Sequence, residues 1–149
     1  MIRTVTLLST AFLANTLLAA FGGPDQYGYT WKDSNEPDGP VYAWIDITTT
    51  GSQLTGFADD NVVGPFTLGE TFPFYWYTVK KIYIGSNGYL AFTTSGNIAA
   101  DFPGIPLAGG KDNYVAGYMT DLNFAGDGNP GQLWVYDDMD RAIISYINV

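Results

Sequence analysis

The sequence predicts an all-β domain, an antiparallel β-sandwich of jelly-roll-like arrangement, preceded by a signal peptide. Three observations carry that reading. Several short segments alternate apolar and polar residues with a period of two, the signature of half-buried strands. Eighteen glycines and eight prolines punctuate the 149 residues, which favours many turns over long helices. Outside the N-terminal leader no segment sustains a helical apolar stripe, and no repeat of solenoid period is visible.

The leader comes first. Met1, Ile2 and the basic Arg3 precede an apolar run from Val5 to Ala20 interrupted by small polar residues, the pattern of a secretory signal peptide. The run is too short and too interrupted to span a bilayer comfortably, so no membrane span is expected. The reading divides the chain into a signal peptide, residues 1–20, and one domain, residues 21–149; cleavage after Gly22 is the alternative. Localisation is then secreted or at the cell surface.

From Gly22 to Pro40 the chain is rich in turn formers and acids, with Tyr27, Tyr29 and Trp31 alternating. Extended, the segment would set the three rings on one face, and packing of that face on the core is favoured over a ligand-stacking platform. Val41 to Gly51 alternates with β-branched enrichment and reads as a strand, with Asp46 facing solvent. A third strand runs from Val62 through Phe66 to Leu68, where Pro65 implies an edge or a bulge. Phe72 to Phe92, FPFYWYTVKKIYIGSNGYLAF, is the densest strand-turn-strand signal. Its two apolar segments join across Ser86, Asn87 and Gly88, and the Asn87-Gly88 pair predicts a tight primed turn, in which both central residues need positive φ.

The connection from Ser95 to Asn113 is long for a compact domain and reads as a functional or wrapping loop. Tyr114 to Asp121 reads as a strand, followed by an acidic glycine loop from Asp121 to Gly131. The last two strands, Gln132 to Asp137 and Arg141 to Asn148, join across Asp138, Met139 and Asp140. The final pattern stops at Val149 without a closing turn, so the domain is expected to be truncated there and to belong to a longer protein.

Charge and composition exclude several functions. Six Lys and Arg stand against fifteen Asp and Glu, a formal charge of −9, and loss of the leader removes one of those cations. Such a surface repels phosphate backbones and anionic lipid, so nucleic acid is not an expected partner. The sequence holds no histidine and no cysteine, which removes disulfides, thiolate metal sites, the usual general base and the commonest zinc ligand. No serine or cysteine nucleophile has its histidine, and no carboxylate pair stands out for glycoside hydrolysis. No catalytic residue is assigned, and an enzyme is not expected.

Carboxylates are the abundant chemistry that remains. Asp121, Asn123, Asp127 and Asn129 occupy alternate or nearly alternate positions in a glycine-rich loop, as oxygen ligands converging on calcium do. The spacing is not that of an EF-hand, and an Asp/Asn/Gly turn is the plainer alternative. Asp25, Asp33, Asn35, Glu36 and Asp38 form a second acidic group, and Asp59, Asp60 and Asn61 a third; either could join a calcium site if the fold brought them together. Four tryptophans, Trp31, Trp44, Trp76 and Trp134, accompany eleven tyrosines. Trp31 and Trp76 are the candidates for stacking a ligand such as a sugar ring, against the alternative that such aromatics form the core.

Phe72, Pro73, Phe74, Ser86, Asn87, Gly88 and the downstream Asp121 together resemble the pattern of the nidogen-like extracellular domain. That family shows a phenylalanine-proline-phenylalanine start, an apolar strand into a serine-asparagine-glycine turn, and a later strand ending in an aspartate-containing loop. Tyr75, Trp76 and Tyr77 depart from it where the family usually has a glycine, as do Met119 and Thr120 where an aromatic is usual. The opening from Gly22 to Ile47 also looks like the start of large secreted bacterial proteins. The resemblance implies a non-catalytic extracellular module for adhesion or protein-protein interaction within a larger protein. Its partner would be an extracellular protein or a glycan; a carbohydrate-binding module and an accessory domain of a secreted hydrolase are the alternatives.

Overall fold

The computed structural model describes residues 20–93, 113–126 and 130–149. The leader and most of the Ser95 to Asn113 connection lie outside them. The chain divides into two compact units, Met1–Trp44 and Ile45–Val149.

In the first unit, β1 (Phe21–Gly22) pairs antiparallel with β2 (Trp31–Lys32). Asp25 closes the connection between them. Its Oδ1 accepts the backbone N–H groups of Tyr27, Gly28 and Tyr29 at 2.8–2.9 Å, an Asx arrangement that competes with any extended pairing. Asp33 tethers the ribbon's start by accepting the Ala20 N–H at 3.0 Å. Tyr27 and Tyr29 stack with ring centroids 5.4 Å apart. Both are exposed, as is Trp31, so the expectation that this aromatic trio packs on a core is corrected: the turn at Asp25 bends the segment out of the single extended face that expectation required.

The second unit is all-β and antiparallel, as the sequence implies. One sheet is a four-stranded meander, β4 (Val62–Phe74), β5 (Tyr77–Gly85), β6 (Tyr89–Ala91) and β7 (Tyr114–Ala116). The other has the order β3-β8-β9, with β3 (Ser52–Leu54), β8 (Gln132–Asp137) and β9 (Ala142–Ile147). Pro65 lies within the irregularity between Val63 and Phe66 on the edge strand β4, where its missing N–H removes nothing from the ladder.

The two sheets enclose one core. Leu68, Val79, Ile82 and Ile84 from the meander meet Leu133 from β8 and Phe124 from the preceding loop. Burial of each such side chain is worth about 1.5–3 kcal/mol. A polar pin crosses between the layers: the Tyr146 hydroxyl on β9 donates to the Gly85 carbonyl at 2.8 Å. Burial pushes that phenol's pKa up, which keeps it a neutral donor.

Three sequence expectations change. Val41 to Gly51 forms no strand. Asp46 Oδ1 instead accepts both the N–H and the hydroxyl of Thr48, and the Thr50 and Gly51 N–H groups return to the Ile47 carbonyl. Local bonding thus satisfies the polar groups that a ladder would have used. The strand expected from Tyr114 to Asp121 ends at Ala116. The segment from Phe72 to Phe92 contains a second hairpin turn: Phe74 pairs with Tyr77, so Tyr75 and Trp76 alone make the loop. Tyr75 has φ 51°, a left-handed conformation that costs a bulky residue on the order of 1–3 kcal/mol.

Candidate functional site

The most constructed polar region of the larger unit is organised by the turn at residues 86–88. Gly85 pairs with Tyr89 across it, giving a three-residue loop in which the Gly88 N–H donates to the Gly85 carbonyl at 3.3 Å. Gly88 has φ 79° while Asn87 is not in the positive region. This is a turn followed by one left-handed residue, and not the primed two-residue turn that the Asn-Gly pair suggests.

The difference matters because the turn is buried. Ser86 and Asn87 are each about 1% exposed, and the polar atoms of both side chains are hydrogen-bonded. The Ser86 hydroxyl donates to the Asp59 carbonyl and accepts the Asn61 N–H at 3.0 Å. Asn87 reaches two segments distant in sequence: its Nδ2 donates to Asp60 Oδ1 at 2.8 Å, and its Oδ1 accepts the Leu122 N–H at 2.9 Å. Its carbonyl accepts the Thr120 N–H. Gly88 completes the clasp, since a Cβ there would stand 2.0 Å from the Tyr118 carbonyl oxygen.

The clasp draws Asp59, Asp60 and Asp121 together. One carboxylate oxygen from each lies within 4.8 Å of the others, and all three residues are exposed. Oxygen-only donors of this kind suit a hard cation such as calcium and not a metal that prefers thiolate or imidazole ligands. The grouping differs from the set expected from sequence spacing. Asp121 is shared, but Asn123 turns its Oδ1 to the Ala125 N–H at 2.8 Å, and Asp127 and Asn129 lie outside the described residues. Asp25 and Asp33 are instead occupied in capping the first unit's turns. The pairing of Asp60 with Asp121 had no signal in spacing, because it is made through Asn87 and a long-range contact.

The aromatic candidates are exposed. Trp76 is 77% exposed at the tip of the β4–β5 hairpin, and Trp31 is 56% exposed on β2. Tyr75 bridges Trp76 to the body of the sheet, with ring centroids 5.8 Å from Trp76 and 4.9 Å from Phe74. Trp134 belongs to β8, where its indole N–H donates to Gln132 Oε1 at 2.9 Å. Tyr42 and Trp44 are exposed as well. Among the described residues no helix is long and apolar enough to cross a membrane.

No curated protein and no solved structure matches the chain significantly. A family model described as NIDO related matches residues 33–133, a span that takes in the Phe72-Pro73-Phe74 start, the Ser86-Asn87-Gly88 clasp and Asp121. The chain belongs to the NIDO-related family.

Proposed function

We propose that this domain is a non-catalytic extracellular module that works in adhesion or protein-protein interaction within a larger secreted or cell-surface protein. Membership of the NIDO-related family supports an extracellular setting, and the leader's pattern agrees with export. The observation that carries an interaction role is the β4–β5 hairpin tip. A two-residue hairpin loop ordinarily takes Asn, Asp or Gly, yet here it presents a mostly exposed tryptophan beside a tyrosine held at positive φ. Retaining both the strain and the exposed ring accords with use of the ring as an anchor, since aromatic residues are the side chains enriched at recognition surfaces.

The second reading is a carbohydrate-binding module, favoured by the exposed indoles of Trp31 and Trp76. One experiment separates the two. Immobilised extracellular proteins are treated with protease or with glycosidases and probed with the domain and its Trp76→Ser variant. Loss of binding on protease treatment, retention after deglycosylation and weakening by the variant support the first reading. Loss on deglycosylation, with selective glycan-array binding abolished by Trp31→Ala or Trp76→Ala, supports the second. Calcium belongs to the proposal as a structural ion at Asp59, Asp60 and Asp121, with chelation as its test.

A further inference from the structure

The residues that build the clasp are also a reactive pair. Among the chain's asparagines, Asn87 alone precedes a glycine. An asparagine side chain can reach the backbone nitrogen that follows it, and glycine puts no side chain in the way of ring closure. In an open chain the Gly88 nitrogen therefore attacks Asn87 Cγ. The new N–Cγ bond closes a cyclic imide, the Cγ–Nδ2 bond breaks, and Nδ2 leaves as ammonia with the proton from the Gly88 amide. Water then opens the imide at Cγ, giving aspartate, or at the main-chain carbonyl of residue 87, giving isoaspartate. Water is the one co-reactant, and nothing is oxidised or reduced.

The closed clasp withholds each participant. The Gly88 N–H is donated to the Gly85 carbonyl. Both polar atoms of the carboxamide are tethered, Nδ2 to Asp60 and Oδ1 to the Leu122 N–H, so swinging Cγ onto the Gly88 nitrogen breaks two bonds at once. With residue 87 about 1% exposed, neither the base that takes the amide proton nor the water that opens the imide has access.

We propose that Asn87 is a self-modification site gated by the clasp: opening of the 86–88 turn exposes it to deamidation, and the product cannot rebuild the clasp. Aspartate at this position sets a carboxylate oxygen where Nδ2 donated to Asp60, beside a group that already gathers Asp59, Asp60 and Asp121, and like charges so placed repel. Isoaspartate lengthens the main chain by one carbon next to Gly88, where even an added Cβ would stand 2.0 Å from the Tyr118 carbonyl oxygen. Either product makes the opening permanent. The domain thus keeps a one-way record of having been opened, whatever partner it binds.

The test incubates the chain in mildly alkaline buffer with and without urea and follows each asparagine by peptide mass mapping, which reads conversion of carboxamide to carboxylate. In urea Asn87 should convert ahead of every other asparagine. Gly88→Ala, compared in urea where its effect on the fold is immaterial, should slow that conversion at least about tenfold. In buffer the parent should convert at least about a hundredfold more slowly than in urea, because chemistry on an open form follows the population of that form. Asp60→Ala removes the acceptor of Nδ2 at an exposed position and should speed conversion in buffer at least about tenfold with no change in urea, whereas Asp60→Asn keeps an acceptor oxygen and should stay near the parent. When urea is removed, the refolded fraction should fall in step with the fraction converted at Asn87. Equal rates in buffer and urea, another asparagine converting first in urea, a parent-like rate for Asp60→Ala in buffer, or converted chains that refold to the parent's thermal midpoint would each overturn the inference.

Discussion

Replacing Asn87 by alanine tests whether the 86–88 turn is a clasp or an ordinary loop. The side chain is about 1% exposed and holds Asp60 and Leu122 through bonds of 2.8 and 2.9 Å. A bond to a charged partner contributes about 1.5–3 kcal/mol and a neutral one about 0.5–1.5 kcal/mol. Both are lost, and the Leu122 N–H loses its acceptor, so the expected cost is roughly 2–4 kcal/mol. Against a total stability of about 5–15 kcal/mol that is a large fraction, and urea unfolding should show it as a lower midpoint at unchanged slope. Asn87→Asp sharpens the test. It keeps an acceptor for Leu122 but sets a carboxylate against Asp60, so the variant should be least stable relative to the parent near neutral pH. It should recover as acid protonates one member of the pair. A loss below about 0.5 kcal/mol for Asn87→Ala, or an Asn87→Asp penalty independent of pH, would refute the clasp.

Gly88→Ala should be worse than a simple turn substitution, because its Cβ meets the Tyr118 carbonyl at 2.0 Å and its φ is 79°; the expected loss exceeds about 2 kcal/mol in thermal or urea unfolding. Tyr146→Phe removes the hydroxyl that joins the layers and leaves the Gly85 carbonyl without it, costing about 1–2 kcal/mol by the same measurement. Asp33, Asp46 and Asp138 have carboxyl pKa values held below the ordinary aspartate value in the folded protein. The Asn35 N–H does this chiefly for Asp33 and the Thr48 N–H for Asp46; for Asp138, burial pushes upward but the Arg141 and Asp140 N–H groups prevail. Their contribution is therefore fully present above the unfolded value and is lost as pH falls through the lower folded values. A thermal midpoint series should decline below about pH 4, less steeply in an Asp138→Asn variant. If calcium occupies Asp59, Asp60 and Asp121, millimolar calcium should raise the midpoint by mass action, and Asp121→Asn should abolish the rise; an unchanged midpoint with and without chelator would discard the ion.

Much of the larger unit was legible in sequence because its strands carry their own signals. Gln132 to Asp137 and the hairpin after it were readable from alternation and from Asp138's turn chemistry, and the Pro65 irregularity from proline's missing donor. What failed did so where a local bond competed with the pattern. Val41 to Gly51 alternates well, but Asp46 and Thr48 bond to each other. The Tyr75-Trp76 turn was invisible because its residues are strand formers and neither is a usual turn residue. At the site, Asp121 was legible as a candidate and the Asp59-Asp60 run as an acidic group. Their meeting was not, since it depends on Asn87 reaching across 27 and 35 positions of sequence. The resemblance carried by Phe72, Asn87, Gly88 and Asp121 agrees with the family match.

The central claim is that an exposed aromatic hairpin tip serves interaction with extracellular protein. It is tested most directly by measuring binding of the domain and of Trp76→Ser to the same deglycosylated extracellular proteins, beside the thermal midpoint of each. With 77% of Trp76 exposed, the substitution should leave stability within about 0.5 kcal/mol. The midpoint should stay unchanged while binding weakens at least about tenfold, as a hot-spot aromatic requires. Equal binding by the variant, or parent binding that disappears when the glycans are removed, would contradict it.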